Sequence, residues 1–264
     1  MNNVFNKEIG LNTWRIERRS VLITGASGNL GKVLAETLSK AGCRIILQCR
    51  ESKKIKMLEF QKTLPFESIV LTGDISQPSE IIKLFMEIEK EYKTLDFLVN
   101  NAGLQGVVSF ENLNEEEWDS VLNINLRSPH LCTKAFRELH QKNPSSVPAI
   151  VNIASIEGSI PALSHAHYAA SKGGLIQYTK ASALELGGLG IRVNSVSPGL
   201  INTPGIEKDW PDGVERYIKA SPLSRLVDPV EVANTVLFLL SPLSSGITGV
   251  DLRVDTGMGV VQGY

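Results

Sequence analysis

Apolar residues fall into short continuous runs, separated by longer stretches in which they recur every three or four positions. Ser20 to Ile23, Arg44 to Cys49, Ser68 to Leu71, Asp96 to Val99, Ala149 to Ala154, Ile191 to Val196 and Val250 to Asp255 have strand length and are rich in β-branched residues. The helical period is clearest from Pro78 to Tyr92, where Ile81, Ile82, Phe85 and Ile88 lie opposite charged positions. Further helices are expected after residue 28 through Ala41, over Glu115 to His140, around Tyr168 and Lys172, and from Pro229 through Leu240. Strands alternating with helices predict an α/β fold, a doubly wound (Rossmann) parallel sheet of about seven strands with helices on both faces. The expected organisation is an N-terminal extension over 1–19, polar with a basic cluster at Arg15, Arg18 and Arg19, and one domain over 20–264. Residues 201–225, punctuated by Pro204, Gly205, Pro211, Gly213 and Pro222, read as a long irregular segment suited to a substrate lid.

The first strand runs into Thr24-Gly25-Ala26-Ser27-Gly28-Asn29-Leu30-Gly31. Strand, glycine-rich turn and helix make a dinucleotide cradle, with backbone amides of the turn and helix start facing a pyrophosphate. Dinucleotide folds often place an acid at the end of the second strand to hold ribose hydroxyls. Here that end is Gln48-Cys49-Arg50, and Arg50 with Ser52 and Lys53 suits a 2′-phosphate, so NADP (NADPH) is favoured over NAD. Asp74, after the third strand, is a candidate acceptor for the adenine amino group, with Ile75 beside it. Asn100-Asn101-Ala102-Gly103 closes the fourth strand with small and amide residues that allow close approach to a ligand. Pro198, Gly199, Ile201 and Thr203 follow the sixth strand, Thr203 placed to bond a nicotinamide carboxamide or ribose.

Ser155 stands at the carboxyl end of the fifth strand, and Tyr168 and Lys172 are four apart on the next helix, so they share a face. A hydroxyl, a phenol and an ammonium so arranged can move a proton to or from a carbonyl oxygen. An ammonium about 5 Å from a phenol, at an effective dielectric near 20, favours the phenolate by roughly 3 kcal/mol, or about two pKa units. Asn125 is expected to point inward, either as a satisfied core amide or as part of the site.

The 264 residues carry a formal charge of -1, with 42% hydrophobic and 21% charged positions, so a sizeable core is available and neither nucleic acid nor an anionic membrane is indicated as partner. Cys43, Cys49 and Cys132 lack metal or redox spacing and read as reduced, buried thiols. His165 and His167 have no third ligand of matching spacing; no metal is expected, and they are assigned to the lining of the substrate cleft. The absence of a signal or membrane-length apolar segment predicts a cytoplasmic protein.

The glycine turn, Asp74, Asn100-Asn101-Ala102-Gly103, Asn125, Ser155, Tyr168-x-x-x-Lys172 and Ser197-Pro198-Gly199 with Thr203, in that order, make the chain resemble the short-chain dehydrogenase/reductase family from Ser20 to about Gly259. The resemblance implies that Tyr168 is general acid in reduction and base in oxidation, and that Ser155 orients the carbonyl. It also implies that Lys172 holds the nicotinamide ribose and lowers the phenol pKa, and that Asn125 positions a water of a proton relay. The implied cofactor cradle comprises Gly25, Ser27, Asn29, Leu30, Arg50, Asp74, Ile75, Asn101, Ala102, Gly103, Tyr168, Lys172, Pro198, Gly199, Ile201 and Thr203. The implied substrate is a small-molecule or acyl-carrier-bound carbonyl, as in 3-oxoacyl-carrier-protein reductases, with sugar or polyol dehydrogenases and a catalytically silent cofactor-binding protein as alternatives. A homo-oligomer, tetramer or dimer, is the implied assembly. One departure is the middle glycine, which stands at Gly28 where the family's shorter branch has it at the position of Asn29; the spacing is nearer the epimerase and dehydratase branch. Asn29 is expected to keep the turn by tolerating left-handed backbone.

Overall fold

The computed structural model describes residue 14 and residues 16–260; most of the extension, Arg15 included, and the end of the apolar tail lie outside the described residues. Seven parallel strands form one sheet in the order β3-β2-β1-β4-β5-β6-β7. They are β1 (Ser20–Ile23), β2 (Arg44–Cys49), β3 (Ser68–Thr72), β4 (Phe97–Asn100), β5 (Ala149–Ile153), β6 (Arg192–Pro198) and β7 (Asp251–Val254). The helices are α1 (Asn29–Lys40), α2 (Lys54–Gln61), α3 (Pro78–Tyr92), α4 (Glu115–Leu122), α5 (Ser128–Lys142), α6 (Ala166–Leu186), α7 (Ile206–Asp209), α8 (Pro211–Ala220) and α9 (Pro229–Leu240).

Because successive strand residues face opposite ways, each strand feeds two cores. Val21, Ile23, Ile45, Leu47, Phe97, Val99 and Val151 pack with Leu34, Leu38, Val232 and Val236 on the α1 and α9 side. Leu22, Ile46, Leu98, Ile150 and Val193 pack with Ile81, Phe85, Ile88, Cys132 and Phe136 on the α3 and α5 side. Burial on both faces explains why the strands read as unbroken apolar runs rather than as alternations. β1 pairs with β2 on one side and β4 on the other, so the strand order reverses there and a crevice opens at the carboxyl ends.

Two expectations need correction. The region Glu115 to His140 is not one helix: a π-helical turn at Asn123–Arg127 separates α4 from α5. The segment 201–225 is not irregular but carries α7 and α8, joined at Trp210. Residues just ahead of Ser20 also pack against the domain. Ile16 is fully buried, the Arg18 amide donates to the Gly42 carbonyl at 2.8 Å, and Arg19 pairs with the buried Asp96 at 3.2 Å. Asp96 precedes β4 rather than opening it. Its carboxylate is taken by the Ser20 amide at 2.8 Å and the Ser145 hydroxyl at 2.6 Å, which ties β1, β4 and the approach to β5 together at their amino ends.

Candidate active site

The turn after β1 is shaped by two close approaches. Gly25 has φ +63°, and a Cβ there would lie 2.7 Å from Ala102 Cα; a Cβ on Gly31 would lie 2.6 Å from the Gly25 carbonyl oxygen. Gly28 is ordinary extended backbone, φ -73°, at the N-cap of α1, and Asn29 is the first helical residue. The departure at Asn29 is therefore accommodated without left-handed backbone, because only Gly25 needs it. No side chain caps α1 and no acid sits in its first turn, so the amides at its start are free for an anion, and a pyrophosphate fits them.

The turn is clamped from two sides. Asn101 Nδ2 donates to the carbonyls of Thr24 (2.9 Å) and Gly25 (3.2 Å), while the amides of Asn101 and Ala102 donate to Thr24 Oγ1 at 3.0 and 3.1 Å. Gln48 Oε1 accepts from the Gly25 amide at 2.9 Å, and its Nε2 donates to the Gly73 carbonyl at 2.8 Å. Gln48 is thus turned inward as a strut, and Arg50 is the exposed residue beyond β2. A cleft of 260 Å³ lies there, lined by Arg50, Glu51, Thr72, Gly73, Asp74 and Glu80. Burial raises the Asp74 pKa, but the Ser76 amide and hydroxyl and Arg50 outweigh it, and the net shift is downward. Glu51, held low mainly by the Thr72 hydroxyl, brings a second acid into this cleft beside Arg50.

Ser155, Tyr168 and Lys172 converge at the carboxyl end of β5. Ser155 is nine-tenths buried, and its Oγ accepts from the Glu157 amide at 3.1 Å. Tyr168 and Lys172 project from α6, with the ammonium 5.7 Å from the centre of the phenol ring. Lys172 Nζ donates to the Ile153 carbonyl at 2.8 Å, which fixes it against the strand that presents Ser155. Gly103 lies close by: a Cβ there would be 3.6 Å from Asn125 Oδ1 and 3.7 Å from Lys172 Nζ. Glycine thus leaves open the space between loop, amide and lysine.

Asn125 is fully buried inside the π-turn. Its Oδ1 accepts from the Leu104 amide at 2.8 Å, and its Nδ2 donates to the Leu104 carbonyl at 2.9 Å and to Ser171 Oγ at 3.0 Å. Its side chain is therefore spent on holding the 101–109 loop to α6. Ile75, also expected at the cofactor, is buried, and its carbonyl accepts from Ser128 Oγ at 2.8 Å. Pro198 ends β6, Gly199, Ile201 and Thr203 follow it, Gly199 lies against Tyr217 of α8, and Ile201 is bridged to Val227.

The electrostatics reverse one expectation. Burial pushes the Tyr168 phenol up to about 12; the Ser155 hydroxyl opposes this and the Glu157 carboxylate adds to it. Lys172, enclosed by protein, is itself pushed down to about 8. The net direction is opposite to the expected lowering, because keeping a phenolate from water is the largest influence on this phenol. The two histidines also differ from expectation. Both are buried: His165 Nδ1 pairs with Glu157 Oε2 at 2.8 Å, and the 101–109 loop packs over His167, where a Cβ on Gly106 would come within 3.1 Å of its Nε2. Thr24, Gln48 and Glu157 are residues at the site to which sequence reasoning gave no role, and His165 was expected only to line the cleft. Only Gln48, polar at the end of an apolar strand, carried a signal.

A switch-point crevice with an uncapped glycine turn, beside a Ser, Tyr and Lys cluster, defines a dinucleotide-linked oxidoreductase. The comparisons narrow this. The family described as enoyl-(acyl carrier protein) reductase matches residues 25–259. An uncharacterized oxidoreductase of Schizosaccharomyces pombe is 36% identical over 92% of this chain and 92% of its own. A 3-oxoacyl-[acyl-carrier-protein] reductase of Thermotoga maritima is 33% identical over 92% of this chain and 99% of its own. A crystal structure from Sinorhizobium meliloti, described as a short-chain alcohol dehydrogenase, superposes with TM-score 0.86 at 26% identity, covering 93% of this chain and 98% of that one. This chain belongs to the short-chain dehydrogenase/reductase family.

Proposed function

We propose that the protein reduces a ketone to a secondary alcohol with NADPH, acting on a 3-oxoacyl-type substrate. The observation that carries this reading is the convergence of Ser155, Tyr168 and Lys172 at the end of β5, next to the Gly103 loop and the glycine turn. The coenzyme, when bound, supplies the hydride, and Gly25, Ser27, Asn29, Leu30, Asn101, Ala102, Gly103, Pro198, Gly199, Ile201 and Thr203 are the residues assigned to hold it. Ser155 orients the carbonyl oxygen by a hydrogen bond, and Tyr168 gives that oxygen its proton. Lys172 steadies the ribose and shares the tyrosine's pocket. A phenol held near 12 is protonated at neutral pH, which suits a proton donor better than a base.

Arg50 beside the 260 Å³ cleft supports NADPH through a 2′-phosphate contact, against the opposing charges of Glu51 and Glu80. Exposed Leu104, Val107, Ile160 and Leu163 lie on two loops joined by a Val108 to Ser164 backbone bond, and this apolar rim supports an acyl substrate. The similarity to a 3-oxoacyl-[acyl-carrier-protein] reductase supports the same substrate class. A cytoplasmic homo-oligomer completes the reading, supported by three free buried cysteines and by exposed Trp118 and Leu184 on α4 and α6. Among the described residues no helix is long and apolar enough to cross a membrane.

The test is coenzyme oxidation followed with NADPH and NADH over a panel of 3-oxoacyl thioesters and simple ketones. Tyr168→Phe is expected to lower turnover by about 10²-fold or more while leaving coenzyme binding intact. Arg50→Asp is expected to weaken NADPH tenfold or more with little change for NADH. Coenzyme binding without turnover of any carbonyl would sink the reductase reading, and an unchanged coenzyme preference in Arg50→Asp would remove NADP specificity from it.

A further inference from the structure

Two ionisable side chains that the proposed reaction does not use sit against the groups that it does use. Glu157 lies two residues beyond Ser155, in a short 3-10 turn, and its amide donates to Ser155 Oγ at 3.1 Å. Its carboxylate meets His165 Nδ1 at 2.8 Å, with both side chains largely enclosed. His165 is the N-cap residue of α6, and its ring packs edge-on to the Tyr168 ring, with centroids 6.0 Å apart at 66°. The Nε2 of His165 is buried with no hydrogen-bond partner. Among the described residues, the imidazole's polar contact is the carboxylate on one side, and the phenol ring packs on the other. The first turn of α6 contains no acid, and the Glu157 carboxylate reaches that end of the helix through the N-cap residue His165.

We propose that Glu157 and His165 are a positioning pair for Tyr168. The imidazole pins the carboxylate and braces the phenol ring, and the negative charge favours the protonated phenol, the form from which carbonyl reduction starts. This rests on the reading of Tyr168 as proton donor. The chemistry is a balance of charge around one proton: Lys172, from α6, favours the phenolate, and Glu157, from the turn after β5, favours the phenol. The 101–109 loop, which packs over the same end of α6, contains no ionisable side chain. His167, on the first turn of α6, lies against Gly106 of that loop. The direction of the Tyr168 shift agrees, since the Glu157 charge adds to burial in raising it.

Glu157→Gln keeps the size and a hydrogen-bond acceptor but removes the charge. In the pH profile of reduction, the alkaline limb, where the phenol is lost, is expected to move down by about one pH unit. The acid limb of alcohol oxidation, where the phenolate is gained, is expected to move down with it. His165→Ala should blur both limbs and lower turnover, and His165→Asn, which retains a donor near the Nδ1 position, should restore much of the loss. The phenol can be followed without a substrate, by ultraviolet difference titration of the protein against its Tyr168→Phe variant, with and without NADP, while circular dichroism reports the fold. A Tyr168 titration that moves downward in Glu157→Gln supports the pair. Unmoved limbs and an unmoved titration in a folded Glu157→Gln protein overturn it. Absence of turnover in the unmodified protein instead overturns the reductase reading, so the two failures are distinguishable.

Discussion

Lys172 shows how far the site departs from what stability alone would select. Its ammonium is buried, with the Ile153 carbonyl as the hydrogen-bond partner at 2.8 Å, and burial moves its pKa from 10.5 down to about 8. The unfolded chain keeps this proton until near pH 10.5, whereas the folded chain releases it near pH 8. Folding is therefore opposed in full below pH 8, and the opposition fades as pH rises toward 10.5. A shift of this size corresponds to about 3 kcal/mol. Lys172→Met removes the charge and leaves one carbonyl short of a donor, which costs about 1 kcal/mol. The variant is expected to be about 2 kcal/mol more stable at pH 7, with a gain that shrinks above pH 8, reaches zero at about pH 10 and becomes a loss of about 1 kcal/mol once the amine is neutral in both states. Turnover should fall by about 10²-fold or more. Thermal unfolding across that pH range, with turnover at pH 7, checks both halves; a destabilised variant at pH 7 would show that the buried ammonium is not a liability. The four-residue spacing of Tyr168 and Lys172 was legible because a helix fixes it. The sign of the phenol shift was not, because it depends on burial, which no spacing reports.

Among the elements, β2, α3 and α9 carry the boundaries that their apolar pattern and terminal residues announce, since proline opens the two helices and burial on both faces fills the strand. The π-turn at Asn123–Arg127 was hidden. An extra residue per turn shifts the apolar period by one without breaking it, and the turn is held by a tertiary contact, Ser128 Oγ donating to the Asn123 and Ile75 carbonyls at 2.8 Å. α8 was masked by its glycine and by the prolines that flank and open it, although Pro211 at its start and Val214, Tyr217 and Ile218 at helical spacing are a fair signature of a helix. Arg192, at the start of β6, read only as a polar strand residue. It caps the far end of α9: Nη1 donates to the Leu239 carbonyl at 2.7 Å and to Ser244 Oγ at 3.0 Å, and Nη2 donates to the Leu240 carbonyl at 3.1 Å. A cation at a helix carboxyl end is favoured by the dipole as well as by these bonds. Arg192→Ala is expected to cost about 3 kcal/mol, with Arg192→Lys recovering about half, because the single ammonium cannot span the same acceptors. Denaturant titration of the three proteins measures this, and a loss below about 1 kcal/mol would mean that water replaces the guanidinium.

At the scale of the whole molecule, the sheet sets the chemistry at one edge and a separate small core closes over it. Val214, Tyr217 and Leu226 form that core, with Ile156, Leu200, Ile206, Ile218 and Met258 packed against it, so α8 rests on the residue after Ser155. The order of motifs along the chain made the sheet edge legible. How α8 docks was not, because it depends on three distant segments meeting at one hydroxyl. Tyr217 Oη donates to the Asp255 carbonyl at 2.7 Å and accepts from Thr256 Oγ1 at 3.2 Å, occupying the place where a Cβ on Gly199 would stand. Beside it the Leu223 amide donates to the Thr256 carbonyl at 3.1 Å, and Pro222 rests on Gly257, whose φ of +92° only glycine adopts readily. The α7–α8 segment and the β7 end are thus one unit, and if that segment covers the substrate, loosening it should alter substrate binding more than global stability. Tyr217→Phe is expected to lower stability by only about 1 kcal/mol. It should raise KM several-fold with kcat nearly kept, and speed proteolytic cutting within 201–225. Gly199→Ala, which drives a methyl into the tyrosine hydroxyl, should do the same more severely. Kinetics and timed limited proteolysis of both variants provide the check. If cutting in 201–225 stays slow while KM rises, the hydroxyl shapes the pocket directly rather than fastening the lid.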